Sequence, residues 1–250
     1  MPEMATLMLA AVFLLAGTIK GVIGFGLPTV SLAILTVALD LPGAMALLLV
    51  PSFATNLWQA SIGGNARQLI LRLWPFLLCA SLTVWIGAMA LIRVDMTLLS
   101  ALLGALLMFY AAVSLAGVNL HIAVRWEGWS GPLAGLINGL LTGMTGSFVV
   151  PGVMYLNGLG LSRGQFLQAM GMLFTLSTLM LALALGRYGL IGEAQLLDST
   201  IALLPAMAGV LLGQVLRARI SESVFRRTFF LSLLTLGAYI AFSSIREFVR

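Results

Sequence analysis

The sequence predicts an all-α integral membrane protein with about eight transmembrane segments, arranged as two homologous and inverted repeats of four segments each. Hydrophobic residues make up 61% of the 250 residues and charged residues only 8%, whereas soluble domains carry about 25% charged residues. The apolar runs reach the length of about 20 residues that a spanning helix needs. Two of the runs are longer than this and carry glycine and proline in their interior.

Eight apolar segments follow one another along the chain, separated by short polar connections. They are rich in leucine and alanine and lack an alternation of period two, which favours helices over a β-barrel. A cleaved signal peptide has positively charged residues before its apolar run. Here the acidic Glu3 precedes the first apolar run and no lysine or arginine does, so we expect this run to stay in the mature protein. The approximate ranges are 5–39, 43–61, 69–91, 96–117, 131–160, 164–186, 196–216 and 228–245.

The first and fifth segments are interrupted in a similar way. The stretch GVIGFGLP interrupts segment 5–39, and TGMTGSFVVPG interrupts segment 131–160. GTIKG at 17–21 aligns with GLING at 135–139, and weaker similarity continues along both halves. Paired glycine- and proline-interrupted segments in two halves indicate a transporter binding site. We therefore predict a first repeat at 1–117, a connecting loop at 118–130 and a second repeat at 131–250.

The arginine distribution predicts that each interrupted segment enters the membrane and returns to the same side as a re-entrant hairpin. The two halves of the segment form the two arms of this hairpin. If all eight segments crossed, the twelve arginines would divide six against six. With two hairpins the division is eight against four, as the positive-inside rule prefers, and both termini lie outside the cytoplasm. The larger group is Arg67, Arg72, Arg125, Arg163, Arg217, Arg219, Arg226 and Arg227; the smaller is Arg93, Arg187, Arg246 and Arg250.

Lys20 is the only lysine and lies about 15 residues into the first apolar run. An ammonium at the centre of a membrane helix costs about 3 kcal/mol or more. We therefore interpret Lys20 as facing a polar cavity, where it compensates a negatively charged ligand; the alternative is a position near the membrane interface. Glycines follow it at 21, 24 and 26, and N–H groups exposed at a helix break attract anions. Gly17 and Gly21 could instead serve only close helix packing.

In the second repeat, Asn138 is the counterpart of Lys20, and hydroxyl groups that suit sulfonate, sulfite or carboxylate oxygens follow it. If the two interruptions meet at mid-membrane, they form one substrate site. The predicted set is Lys20, Gly21, Gly24, Phe25, Gly26, Asn138, Thr142, Gly143, Thr145, Gly146 and Ser147. Asn56, Gln59 and Gln168 are secondary candidates, equally well explained as interhelical hydrogen bonds. Lys20 is the one obvious titrating group within the segments, so protons are a candidate coupling ion.

The sequence gives little support to a disulfide, a metal site, an enzyme or a nucleic-acid-binding protein. Cys79 and His121 each occur once, so we expect no disulfide, no metal site and no cofactor. There is no HExxH motif and no aspartate pair within a segment, which argues against an intramembrane enzyme and leaves no catalytic residue to name. The arginines lie mostly in short connections, where they orient the protein in the bilayer rather than bind nucleic acid. An anion channel and a non-transport subunit of a membrane complex stay open, and the oligomeric state is not predicted.

The motif GTIKGVIGFGLPTVSLAIL, its counterpart GLINGLLTGMTGSFVVPGVMYL and the two-repeat pattern resemble the TauE/SafE sulfite exporter family, also grouped as the 4-toluenesulfonate uptake permeases. The resemblance extends over essentially the whole chain. It implies a bacterial inner-membrane secondary transporter of sulfur-containing or related anions, working as an importer or an exporter by alternating access. It also implies that Gly24, Gly26, Gly143 and Gly146 belong to the glycine-rich interruptions of the family. Many members have a glutamine where this chain has Lys20.

Overall fold

The computed structural model describes residues 2–118, 121–219 and 221–248, except for the side chains of residues 2, 3, 5 and 222. Arg250, which the arginine distribution assigns to one side, lies outside the described residues. In these residues the chain is helical without strands, which confirms the all-α prediction. The helices are α1 (Pro2–Ile23), α2 (Leu27–Ala38), α3 (Leu41–Ser61), α4 (Ala66–Ala88), α5 (Met96–Leu115), α6 (Val124–Thr145), α7 (Gly152–Gly158), α8 (Arg163–Arg187), α9 (Glu193–Arg217) and α10 (Glu222–Phe248), with a 3-10 turn at Met89–Ile92 after α4.

Among the described residues, seven helices are long and apolar enough to cross a membrane: α1, α3, α4, α5, α8, α9 and α10. The chain is therefore a multi-pass membrane protein. Helix α2 has only 12 residues and falls short of this length. Helix α6 begins at Val124, so its first residues lie in the stretch 118–130 that the sequence assigned to a connection. The count of eight segments and the division into two repeats stay predictions.

Both long segments are interrupted at their glycines. Gly24 and Gly26 have φ angles of +90° and +105°, which glycine adopts without the steric penalty of other residues. Pro28 then stands in the first turn of α2, where its missing N–H costs no helical hydrogen bond. In the second segment Gly146, at φ +72°, ends α6 in the left-handed conformation. Local sequence chemistry thus accounts for both breaks.

Helices α3 and α8 form the centre of the bundle. Of their residues, 72% and 61% are buried, against 33–44% for the other five candidate spans. The end of α3 meets the beginning of α8, where the backbone of Gly171 packs directly on Ala60. The remaining long helices pack around this pair, so a polar group on the buried face of α3 or α8 is shielded from lipid.

The first arm of each interrupted segment packs on a helix from the other half of the chain. A Cβ atom at Gly17 of α1 would lie 2.2 Å from the Ala206 oxygen of α9, and one at Gly139 of α6 would lie 2.0 Å from the Ala80 oxygen of α4. In both pairs the contact positions increase together along the two helices, so the helices run parallel. Such close approach through small residues is typical of membrane helices.

The packing partners exchange between the halves of the chain. Helix α1 packs on α9 as α6 packs on α4, and α3 contacts α9 as α8 contacts α4. Helices α5 and α10 pair with each other, and so do α3 and α8. This is the pattern that two equivalent halves would produce.

The helix ends gather at two ends of the bundle. One end, called the arginine-rich end below, holds the last turns of α1, α3, α5 and α9 and the first turns of α4, α6, α8 and α10. It carries Arg67, Arg72, Arg125, Arg163, Arg217, Arg219, Arg226 and Arg227. The opposite, arginine-poor end carries Arg93, Arg187 and Arg246 among the described residues. Both ends of the α6–α7 unit lie at the arginine-rich end, where the Ile122 N–H donates to the Gly158 oxygen at 2.8 Å.

Candidate functional site

Lys20 lies in the last turn of α1 and is only 4% exposed. Its ammonium donates hydrogen bonds to Asn56 Oδ1 and to Thr55 Oγ1, the latter at 3.1 Å, and both acceptors belong to α3. Two neutral acceptors satisfy part of the hydrogen-bonding capacity of the ammonium but none of its charge. No described carboxylate forms an ion pair with Lys20. A buried positive charge of this kind is stabilised when an anion binds beside it.

Beside Lys20 a cavity of about 320 Å³ opens at the arginine-rich end. It lies between the α1–α2 turn, the last turns of α3 and α9, and the first turn of α8. Two cationic groups, Lys20 and Arg217, line it, and none of the acidic side chains that the structure describes does. The other lining residues are Gly21, Gly24, Thr55, Trp58, Gln59, Ile62, Gly63, Gly164, Leu167, Gln168, Val210 and Gln214. The cavity therefore offers positive charge and hydrogen-bond donors to a small anion.

Gln59 and Gln168 tie the two central helices together at the mouth of this cavity. Gln59 Nε2 donates to the Leu167 oxygen at 2.8 Å, and Gln168 Nε2 donates to the Ala60 oxygen at 2.9 Å. Gln168 Oε1 also accepts from the Asn65 N–H at 3.1 Å. Both glutamines thus line the cavity, as expected of substrate contacts. They also make interhelical hydrogen bonds, which was the other role that the sequence predicted for them.

The residues of the first interruption divide between different surroundings. Gly21 and Gly24 line the Lys20 cavity, although the backbone of Gly21 also packs tightly on Val210 of α9. The Gly24 N–H is bonded to the Lys20 oxygen at 2.7 Å, so it is not free to bind an anion. Phe25 faces a neighbouring cavity of about 410 Å³. Gly26 contacts Ile19 and Phe229.

The second interruption is buried and makes its hydrogen bonds within its own hairpin. Asn138 Oδ1 accepts from the Gly152 N–H at 2.9 Å, at the beginning of α7. Thr142 Oγ1 donates to the Ser147 oxygen at 2.9 Å, and the Ser147 N–H donates to Thr145 Oγ1 at 3.2 Å. None of the predicted residues of this interruption lines the Lys20 cavity; these are Asn138, Thr142, Gly143, Thr145, Gly146 and Ser147.

The expectation that both interruptions meet in one mid-membrane pocket is therefore not met in this structure. Helices α1 and α6 have 22 residues each, which corresponds to a length of about 33 Å. Each arm consequently runs through most of the bundle before it turns. Gly24 lies beside Leu167 at the arginine-rich end, whereas Gly146 lies beside Met45 and Leu32 near the beginning of α3.

Sequence reasoning missed part of the site. The sequence pattern alone does not identify Thr55, and Gln214 and Arg217 lie at the end of segment 196–216 and in the connection that follows it. Ser52, Thr55, Asn56 and Gln59 follow the spacing i, i+3, i+4 and i+7, which places them on one face of a helix. This spacing was the available signal on α3. Nothing local marks Arg217, because it reaches the cavity only through the packing of α9 on α1.

Two polar atoms of the α3 face have no hydrogen-bond partner among the described residues. They are Asn56 Nδ2 and Ser52 Oγ, and both side chains are fully buried. Buried donors without a partner are costly, but neither Asn56 nor Ser52 lines the Lys20 cavity in this structure. Elsewhere in the described residues, no group of three histidine, cysteine or acidic side chains could hold a metal ion.

Comparison with known proteins identifies one family. The sequence model of the sulfite exporter TauE/SafE family matches residues 9–240. Neither the comparison with curated proteins nor the comparison with solved structures gave a match. The match includes the whole Lys20 cavity and both interruptions.

Proposed function

We propose that this chain, which belongs to the sulfite exporter TauE/SafE family, is a secondary transporter of small anions that contain sulfur, such as sulfite or organosulfonates, or of related carboxylates. The family is a transporter family and not an enzyme family. Its multi-span character agrees with the seven apolar helices of the structure. We assign the protein to the bacterial inner membrane and its binding step to the Lys20 cavity.

The observation that carries this proposal is the buried ammonium of Lys20 at the edge of a cavity that is lined by no described acidic residue. In a site of low dielectric constant, an unpaired positive charge attracts an anion far more strongly than it would in water. Arg217 adds a second positive charge nearer the mouth of the same cavity. This order of charges would draw an anion from the arginine-rich end towards Lys20.

The polar face of α3 supports an oxyanion as the ligand. The ammonium of Lys20 has three protons for two described acceptors. Asn56 Nδ2 and Ser52 Oγ are buried donors without a described partner, although neither residue lines the cavity in this structure. Sulfite, sulfonates and carboxylates present two or three oxygens that accept hydrogen bonds. A cation would meet Lys20 and Arg217 instead, and their repulsion would exclude it.

Alternating access is supported by the exchange of packing partners between the halves. Helices α1 and α6 are each bound to a helix of the other half through glycine contacts, and rocking of such units changes which end of a central site is open. Under the positive-inside rule the arginine-rich end faces the cytoplasm. We therefore assign the structure to a state whose Lys20 cavity is open to the cytoplasm.

Flux measurements in proteoliposomes test this function. The panel contains sulfite, an alkanesulfonate, sulfate and acetate, and the proteins are the wild type, Lys20→Gln and Arg93→Gln. Arg93→Gln removes the same charge at the arginine-poor end, away from the cavity. We expect saturable flux with countertransport in the wild type and in Arg93→Gln. In Lys20→Gln we expect at least a tenfold loss of apparent affinity, which corresponds to about 1.4 kcal/mol.

Three outcomes would contradict the proposal. Large unitary currents without countertransport would indicate a channel. No flux of any anion in the panel by a folded wild type would favour a non-transport subunit. Equal affinity in the wild type and Lys20→Gln would remove Lys20 from the binding site.

A further inference from the structure

A groove at the arginine-rich end lies between the last turn of α5 and the first turns of α10. Its volume is about 710 Å³. It shares no residue with the Lys20 cavity. The lining residues are Ser114 and Leu115 of α5 and Ser223, Arg226, Arg227, Phe230 and Leu231 of α10.

The residues of α10 change from polar to apolar in order along the groove. Ser223, Arg226 and Arg227 come first, and Phe230 and Leu231 follow one turn later. All five share one helix face, because their spacing is i, i+3, i+4, i+7 and i+8. The distance from Arg226 to Leu231 along the helix axis is about 7.5 Å. The groove is therefore positively charged at one end and apolar at the other. The distance between these two ends is similar to the distance between the phosphate of a lipid and the beginning of its acyl chains.

The apolar end of the groove has a firm floor and an open side. Phe230 is buried and packs edge-to-face on Tyr110 of α5, with ring centroids 5.4 Å apart. Deeper along the same pair, the backbones of Gly104 and Gly237 are in contact, which holds α5 and α10 together. Leu231 is 46% exposed, so the groove is open towards the outside of the bundle, where acyl chains lie.

The charge of the groove selects the ligand. Arg226 and Arg227 are both exposed, and no acidic residue whose side chain the structure describes lines the groove. The arginine-rich end is the one that faces the cytoplasm under the positive-inside rule, and basic pockets between helices on that side suit anionic head groups. A small soluble anion would leave the apolar half of the groove unused.

We propose that this groove binds an anionic phospholipid, whose phosphate lies against Arg226, Arg227 and Ser223 and whose acyl chain follows Phe230 and Leu231. The site shares no lining residue with the Lys20 cavity, and the proposal does not depend on which substrate is transported. Bound lipid would join the end of α5 to the beginning of α10 and would stabilise this pair in the membrane.

Native mass spectrometry of the full chain in detergent tests the site. The probes are dioleoyl phosphatidylglycerol, dioleoyl phosphatidylcholine and inorganic phosphate. The variants are Arg226→Gln/Arg227→Gln and, as the control, Arg93→Gln/Arg246→Gln, which removes the same charge from the arginine-poor end. We expect the wild type and the control to bind phosphatidylglycerol at least tenfold more tightly than phosphatidylcholine. We expect the Arg226/Arg227 variant to bind phosphatidylglycerol roughly thirtyfold more weakly.

A second variant separates a lipid from a small anion. Leu231→Gln keeps both arginines but makes the apolar end polar, so we expect it to weaken phosphatidylglycerol binding several-fold. Unchanged binding in Leu231→Gln, together with displacement of the lipid by millimolar phosphate, would overturn the lipid assignment. An equal loss in both double variants would show that only net charge matters and would also overturn the site. Should the double variant fail to fold, the single variants Arg226→Gln and Arg227→Gln give the same comparison.

Discussion

The ammonium of Lys20 on α1 donates a hydrogen bond to the side-chain oxygen of Asn56 on α3. This contact joins the end of the first hairpin arm to one of the two central helices. It also fixes the orientation of the Asn56 amide, so that Nδ2 points away from the ammonium and has no described partner. The pair therefore joins a charged donor that lines the cavity to a neutral donor that is fully buried and does not line it.

Asn56→Asp should abolish anion binding while the chain still folds. The new carboxylate would stand beside the Lys20 ammonium and form an ion pair, which neutralises the site and repels an incoming anion. We expect sulfite to raise the melting temperature of the wild type but to have no effect on Asn56→Asp. Asn157→Asp makes the same chemical change at an exposed position outside the Lys20 cavity, and its response to sulfite should match the wild type. Retained stabilisation of Asn56→Asp would disprove the role of this pair.

Gly139→Ala should destabilise the protein, although alanine is normally the better helix former by up to about 1 kcal/mol. The added Cβ would lie 2.0 Å from the Ala80 oxygen and 2.2 Å from Thr83 Oγ1, so α6 has to move away from α4. We expect a loss of about 1–3 kcal/mol, as for overpacked cores, measured by reversible unfolding in mixed micelles. Gly128→Ala on the same helix has open space around it and should be neutral or stabilising. If the two variants are equally stable, the close α4–α6 contact is wrong.

Ser199→Ala should destabilise α3 next to Pro51, which lies inside this helix. Pro51 has no N–H, so the Leu47 oxygen lacks its helical donor; the hydroxyl of Ser199 on α9 donates to it at 2.8 Å. The same hydroxyl accepts from the Val50 N–H at 3.1 Å. We expect a loss of about 1–3 kcal/mol, because a buried carbonyl is left unpaired.

A double-mutant cycle makes the Ser199 prediction specific. In Pro51→Ala the restored N–H can bond to Leu47, so Ser199→Ala should cost less there than in the wild type, by about 1 kcal/mol. Thr200→Ala removes an exposed hydroxyl that bonds only within α9 and serves as the control. Additive effects of Pro51→Ala and Ser199→Ala would argue against Ser199 as the replacement donor for the Leu47 oxygen.

Cysteine labelling tests the re-entrant hairpin in the second half. In a Cys79→Ala background, Gly128→Cys and Gly164→Cys should react with a membrane-impermeant reagent from the same side, and Gly186→Cys from the opposite side. All three glycines are exposed and have no atoms within 4 Å of the added Cβ, so the substitutions should be tolerated. Labelling of positions 128 and 164 from opposite sides would show that segment 131–160 crosses the membrane once.

Composition and local chemistry determined much of this protein in advance. A chain with 61% hydrophobic and 8% charged residues cannot cover a soluble globule, so its class follows from composition. The two helix breaks follow from glycine and proline, since Gly24, Gly26 and Gly146 adopt φ angles that other residues avoid. Lys20 is conspicuous for a similar reason, because an isolated ammonium in an apolar run has to find a polar partner.

The partners of Lys20 were decided only by the tertiary structure. Hydropathy reports how deep a residue lies along its own helix, but it does not report the rotation of that helix or which neighbour faces it. Asn56 contacts Lys20 because α1 packs near α3. Arg217 lines the same cavity as Lys20 because α9 packs parallel to α1. The same limit explains why the second interruption stays apart. Its residues resemble those of the first in sequence, but the full length of α1 and α6 carries the two turns to opposite ends of the bundle.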